Sequence, residues 1–149
     1  MQTARVRRRA SRSWTRIGNR VGVWLYRWSK GRLSGATETV HVLLITTPGR
    51  RSRLPRSTCV RYLEIESGLV VWGTGSGSPQ DPDWFKNLRA ATTATVQIND
   101  QVSLMRPHEL SGSDRDDIWH NVILKHAPQV ARYARKAGRD IPVAVLQPI

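Results

Sequence analysis

Four arginines fall within seven residues, Arg50, Arg51, Arg53 and Arg56, among Thr46, Thr47, Gly49, Ser52 and Pro55. A guanidinium binds phosphate or carboxylate through two parallel N–H bonds, and hydroxyls and the free amides of a glycine-containing turn supply more donors. Arg61 extends the positive field. A ligand with a phosphate and several carboxylates would suit this segment; the plain alternative is a solvated run of charge. The segment joins two predicted strands, and strand ends are where a barrel carries a ligand mouth, which favours the first reading.

Gly73-Thr74-Gly75-Ser76-Gly77 superficially resembles a dinucleotide-binding glycine loop. The fingerprint needs a helix starting inside the motif and an acid about twenty residues later, whereas Ser78-Pro79-Gln80 intervene here. A turn that lets backbone approach a planar ligand is the better reading, with an ordinary surface loop as the alternative. His41, His108, His120 and His126 are scattered, and the six-residue step between the last two puts them on different helical faces. Cys59 sits in a predicted strand with no activating neighbour in sequence, and Asp116 and Asp117 suit a helix start. Any chemistry should therefore belong to a borrowed cofactor, with the protein supplying position and electrostatics.

The chain has 149 residues, 24 Lys/Arg and 11 Asp/Glu, for a net charge of +13. That length suits one compact domain plus a short appendage. A single cysteine cannot close an intrachain disulfide, which points to a reducing compartment. No apolar run approaches the roughly 20 residues of a spanning helix. Ten of the Lys/Arg and none of the acids fall in residues 1–37, so the basic part calls for its own anionic partner, a membrane or a nucleic acid. Trp14, Ile17, Val21, Trp24, Leu25 and Trp28 recur at helical spacing beside Arg16, Arg20 and Arg27. Such a helix suits the plane of an anionic membrane surface, and it equally suits packing on the body. Nucleic acid ranks lower, because no RRM, KH or helix-turn-helix signature accompanies it. The expected location is cytoplasmic, at the inner face of the cell membrane, with the oligomeric state left open.

The elements that must position these residues follow from pattern. Strands are predicted at 40–45, 56–66, 69–73, 94–98, 101–104 and 143–146, the fourth and fifth forming a hairpin around Asn99-Asp100. Asp81 offers an N-cap, with Pro82 at the first helical position, for a helix over 83–91. Ser113 begins a capping-box-like pattern before a helix reaching His126, and Pro128 opens another that ends at Gly138. Strands without regular βαβ alternation predict an α+β, mostly antiparallel barrel over residues 38–149, with a basic arm and amphipathic helix over 1–37.

Three segments carry a family resemblance. Leu44-Ile45-Thr46-Thr47-Pro48-Gly49-Arg50-Arg51-Ser52-Arg53-Leu54-Pro55-Arg56 is similar to Leu-Leu-Thr-Thr-Thr-Gly-Arg-Lys-Ser/Thr-Gly-x-Pro-Arg, the opening motif of the deazaflavin-dependent nitroreductases. Pro82-Asp83-Trp84-Phe85-Lys86-Asn87-Leu88-Arg89-Ala90 and Gly138-Arg139-Asp140-Ile141-Pro142-Val143 resemble its second and third motifs, in order, from about residue 40 to the end. The resemblance implies a split β-barrel (FMN-binding-like) that binds coenzyme F420, a deazaflavin whose tail carries a phosphate and an oligoglutamate. It further implies a reductase passing hydride to a lipophilic acceptor of quinone or nitro type. Leu44 and Thr46 would lie along the cofactor, and Gly49, Arg50, Arg51, Ser52, Pro55 and Arg56 would hold its tail. Val71 and Thr74 would approach the ring, Trp84 and Asn87 would brace the pocket, and Tyr133 would be the hydroxyl near the substrate. FMN ranks lower, since its short tail leaves several arginines without a partner. A non-catalytic module binding the cofactor or anionic lipid is the rival. The chain departs from the motif at Pro48, Arg53 and Cys59, has Gly75 in place of a lysine, and has Ala127 and Val130 where pocket tyrosines fall.

Overall fold

The computed structural model describes residues 41–149, in which six strands close into an entirely antiparallel barrel of order β1-β2-β3-β6-β5-β4. The strands are β1 (His41–Pro48), β2 (Pro55–Ile65), β3 (Gly68–Trp72), β4 (Ala94–Ile98), β5 (Gln101–Glu109) and β6 (Val143–Pro148). Helix α1 (Asp83–Ala90) links β3 to β4. Between β5 and β6 run α2 (Gly112–Ile118), a π-helical turn (Trp119–Ile123), the short α3 (Leu124–His126) and α4 (Val130–Ala137). The expected amphipathic helix over 14–28 and the domain boundary near residue 37 lie outside the described residues.

Alternation with period two builds the interior. Leu43 and Ile45, Val60 and Tyr62, Leu69 and Val71, Ala94 and Val96, Met105, and Ala144 and Leu146 point inward, and Phe85 and Leu88 of α1 pack onto the same cluster. The opposite face of β3 and β6 is buried too. Val70, Trp72, Val143 and Val145 meet Trp119, Ile123, Ala127, Val130 and Ala137 from the helices. Strands covered on both sides read as unbroken apolar runs, which is how Leu69-Val70-Val71-Trp72 and Val143-Ala144-Val145-Leu146 look in sequence.

Four boundaries differ from expectation, each for a tertiary reason. First, β1 runs on through Thr46, Thr47 and Pro48, because Thr46 pairs with Ser57 and Pro48 with Pro55. Second, β5 continues past Leu104 to Glu109: it pairs with β4 up to Met105 and with β6 from Met105 onward. Pro107 is tolerated there because only one flank of β5 remains bonded beyond the last β4 pair. Third, Asp81 does not cap α1; the cap position is Pro82, and the Asp81 carboxylate instead binds Arg89 and Arg139. Fourth, α2 begins at Gly112 after Ser111, so Ser113 lies inside the helix and makes no cap bond.

The antiparallel registers divide the barrel into two ends. Tight turns at 66–67 and 99–100 lie at one. At the other, β1 leaves, β2 begins, β3 leaves and β4 and β6 begin. The loops at 49–54 and 73–82, the start of α1 and the entry from α4 into β6 therefore share this second end.

Candidate functional site

The 49–54 loop is a closed turn. The Gly49 amide donates to the Leu54 carbonyl at 2.8 Å and the Arg53 amide to the Gly49 carbonyl at 2.9 Å. A Cβ on Gly49 would stand 2.5 Å from Ser52 Oγ, so a side chain there would force the Ser52 hydroxyl to swing aside. Ser52 Oγ also accepts from the Leu54 amide at 3.3 Å. Arg53 adopts φ 62°, the left-handed conformation that glycine favours and other residues resist.

Arg50 turns away from solvent onto α1. Its amide and Nη1 both donate to Asn87 Oδ1, at 3.1 and 2.8 Å, and its Nη2 donates to Asp83 Oδ1 at 3.2 Å. Asp83 and Asn87 are one helical turn apart, which puts both on the face that meets the loop. Asn87 is 7% exposed. Arg50 is thus the joint between loop and helix. Arg51, Arg53 and Arg56 are exposed and form no ion pair among the described residues. Arg51 and Arg53 on the turn and Arg56 at the start of β2 are three guanidiniums without an ion pair among the described residues, a set able to meet an anionic chain of several charges.

Beside this loop, residues 73–81 form a turn with Gly75 at φ 54°, Ser76 at φ 56° and Gly77 at φ 81°. Arg139 reaches into it from the α4–β6 link. Its Nε donates to Ser78 O at 3.0 Å, Nη1 to Asp81 Oδ1 at 2.8 Å, and Nη2 to Gly73 O, Thr74 O and Gln80 O at 3.2, 3.2 and 2.9 Å. Asp81 also accepts from Arg89, which forks onto both Glu109 oxygens at 2.7 and 2.8 Å and stacks over Phe85. Those bonds, Glu109 first and Asp81 second, raise the Arg89 pKa above its ordinary value against the opposing effect of burial.

The expected site residues divide accordingly. Gly49, Arg50, Arg51, Ser52, Pro55, Arg56, Thr74, Trp84 and Asn87 gather at one end of the barrel, with Thr46 on the adjoining stretch of β1, its hydroxyl 2.7 Å from that of Ser57. Val71 does not reach a surface. It has no exposed area and belongs to the cluster that fills the barrel interior. Leu44, 2% exposed, likewise offers no surface. Tyr133 is 41% exposed on α4, the helix whose Lys136 side chain lies against Gly77. Ala127 and Val130 belong to the apolar cluster behind α4, so no pocket wall is formed at either position. Sequence reasoning gave Asp81 a capping role that the structure replaces with bonds to Arg89 and Arg139, and it gave Asp83, Arg89 and Arg139 no role beyond membership of the second and third motifs. No group of His, Cys, Asp or Glu able to hold a metal occurs among the described residues.

Comparison with known proteins agrees with this geometry. A family model described as F420H(2)-dependent quinone reductase matches residues 18–148. An F420H(2)-dependent quinone reductase of Mycobacterium tuberculosis (strain H37Rv) is 26% identical over 131 residues, 82% of this chain and 84% of that protein. The solved structure of an F420-H2 dependent reductase is 29% identical and superposes with a TM-score of 0.63, covering 71% of this chain and 93% of that one. A structure described as a domain-swapped dimer shares the fold at 24% identity, with a TM-score of 0.65 over 99% of this chain and 100% of that one. A match over most of the length, on a barrel whose free arginines suit a polyanionic cofactor, has one reading: the chain belongs to the F420H(2)-dependent quinone reductase family.

Proposed function

We propose that this F420-dependent oxidoreductase holds the cofactor's anionic tail on Arg51, Arg53 and Arg56, with its acceptor, a quinone-type molecule, beside Thr74 and Tyr133. The observation that carries the reading is that those three guanidiniums have no ion pair among the described residues while neighbouring Arg50 is tied to α1. When bound, reduced F420 supplies a hydride from C5 of its ring. The residues then have separate tasks. Arg50 and Asn87 hold the loop at a fixed distance from α1, the Ser52 hydroxyl and the amides of Arg51 and Ser52 add donors, and Trp84 braces the wall through its edge contact with Phe85. Tyr133 donates the proton that the reduced acceptor requires. A lipophilic acceptor and the basic 1–37 segment together support a working position on the inner face of the cell membrane.

Fluorescence titration with F420 at rising salt tests the grip. Arg51→Glu with Arg56→Glu should weaken binding by about tenfold or more, and salt should weaken the unsubstituted protein in the same direction. Unchanged affinity in the double variant overturns the reading. Tyr133→Phe should lower kcat with a menaquinone analogue by about 10²-fold at unchanged F420 affinity. Full turnover would remove the tyrosine from its role.

A further inference from the structure

We propose that Arg139 is a positioning residue for the reaction: by gathering the carbonyls of Gly73, Thr74, Ser78 and Gln80 and the carboxylate of Asp81, it holds the 73–81 turn in the shape that receives the deazaflavin ring. The assignment rests on the reading that this turn lies beside the ring.

The turn does not hold this shape by itself. Gly75, Ser76 and Gly77 are consecutive left-handed residues, and Ser76 in that conformation costs about 1–2 kcal/mol. Its internal backbone bonds are two, from the Gly77 amide to Thr74 O and from the Ser78 amide to Gly75 O. Arg139 contributes five contacts from one guanidinium whose side chain is 16% exposed. A planar fork with five N–H donors can converge on acceptors spread over nine residues, and a lysine, a single ammonium centre, cannot.

The same contacts set the turn's electrostatics. Four carbonyl oxygens are drawn to a cation on one side, whereas the amides of Thr74, Gly75 and Ser76 donate to no backbone carbonyl among the described residues. Thr74 is right-handed (φ −73°) and Gly75 left-handed (φ 54°), the pairing of conformations in which successive amides converge as an anion-binding concavity. An electron-rich ring with carbonyl oxygens matches such an edge. The turn is also tied outward. Asp81 joins Arg139 to Arg89, and Arg89 binds Glu109, so the 73–81 segment, α1 and β5 form one charged chain.

Arg139→Lys in the full chain keeps the charge and loses the fork. It should speed hydrogen exchange at the Gly77 and Ser78 amides in the cofactor-free protein. It should lower kcat by about 10²-fold, the loss expected when reacting groups shift by an ångström. F420 affinity should change by less than about threefold, because the tail is held elsewhere. Asp81→Asn, which keeps the arginine and weakens one of its five contacts, should give the same pattern in smaller degree and serves if Arg139→Lys does not fold. Unchanged exchange at both amides, or kcat kept within about threefold while the melting temperature falls, overturns the proposal and leaves Arg139 a purely structural residue. These outcomes are distinct from failure of the tail-binding reading, which shows as intact F420 affinity when Arg51 and Arg56 are replaced and leaves the exchange measurement standing.

Discussion

Arg53 occupies the left-handed position of the 49–54 turn, where the family motif it resembles has glycine. A non-glycine residue there costs about 1–2 kcal/mol, while glycine forfeits about 0.5–1 kcal/mol of chain entropy. Arg53→Gly should therefore raise stability by about 0.5–1 kcal/mol in urea unfolding, and should weaken F420 binding by removing one cation. Opposite signs in the two measurements would mean that this chain trades backbone ease for grip. Tyr62 carries a pH signature of its own. Burial in the barrel, and then the charge of Glu64, raise its pKa above the ordinary 10.0. The unfolded chain then loses the phenol proton first. Stability from this group is complete below about pH 10 and is lost as pH climbs toward the raised folded value. Melting temperatures between about pH 9 and 11 should fall less steeply in Tyr62→Phe than in the unsubstituted protein. Equal slopes would show that Tyr62 is not the group responsible.

At the scale of elements, the joint between the 49–54 loop and α1 depends on one buried amide. Asn87→Ala strips the acceptor from both the Arg50 amide and its Nη1, which should cost about 1–3 kcal/mol in chemical denaturation. A cost near zero would mean that Asp83 alone keeps the loop on the helix. The elements themselves were largely legible, because alternation and turn residues are local signals: all six strands, α1 and α4 fall near their expected places. What escaped was set by partners distant in the chain. Asp81 looks like a helix cap until Arg139, 58 residues away, claims its carboxylate. Thr46-Thr47-Pro48 looks like a turn until β2 pairs with it residue by residue. The strand expected to end at Leu104 runs on through Pro107 because β5 changes neighbours at Met105. The arginine density of the 49–56 segment was legible, but not that Arg50 is already tied to α1. Which side chains of Leu69-Val70-Val71-Trp72 point into the barrel was not legible, because a short strand buried on both faces leaves no alternation to read.

Over the whole molecule, charge is divided between a basic 1–37 segment and a nearly balanced remainder. If the first part meets lipid, flotation with vesicles containing anionic phospholipid should carry the full chain upward. A chain lacking residues 1–36 should stay below, and salt should reduce flotation of the former. Flotation that ignores the deletion would assign lipid contact to the barrel itself. The arrangement of turns has a practical corollary. Every loop considered for binding emerges at one mouth of the cylinder, while the Glu66-Ser67 and Asn99-Asp100 hairpins cap the far mouth. A fluorophore, an affinity handle or a surface tether grafted at either hairpin would sit a full strand length from the loops proposed to bind the cofactor, making that far mouth the natural grip for an immobilised biosensor.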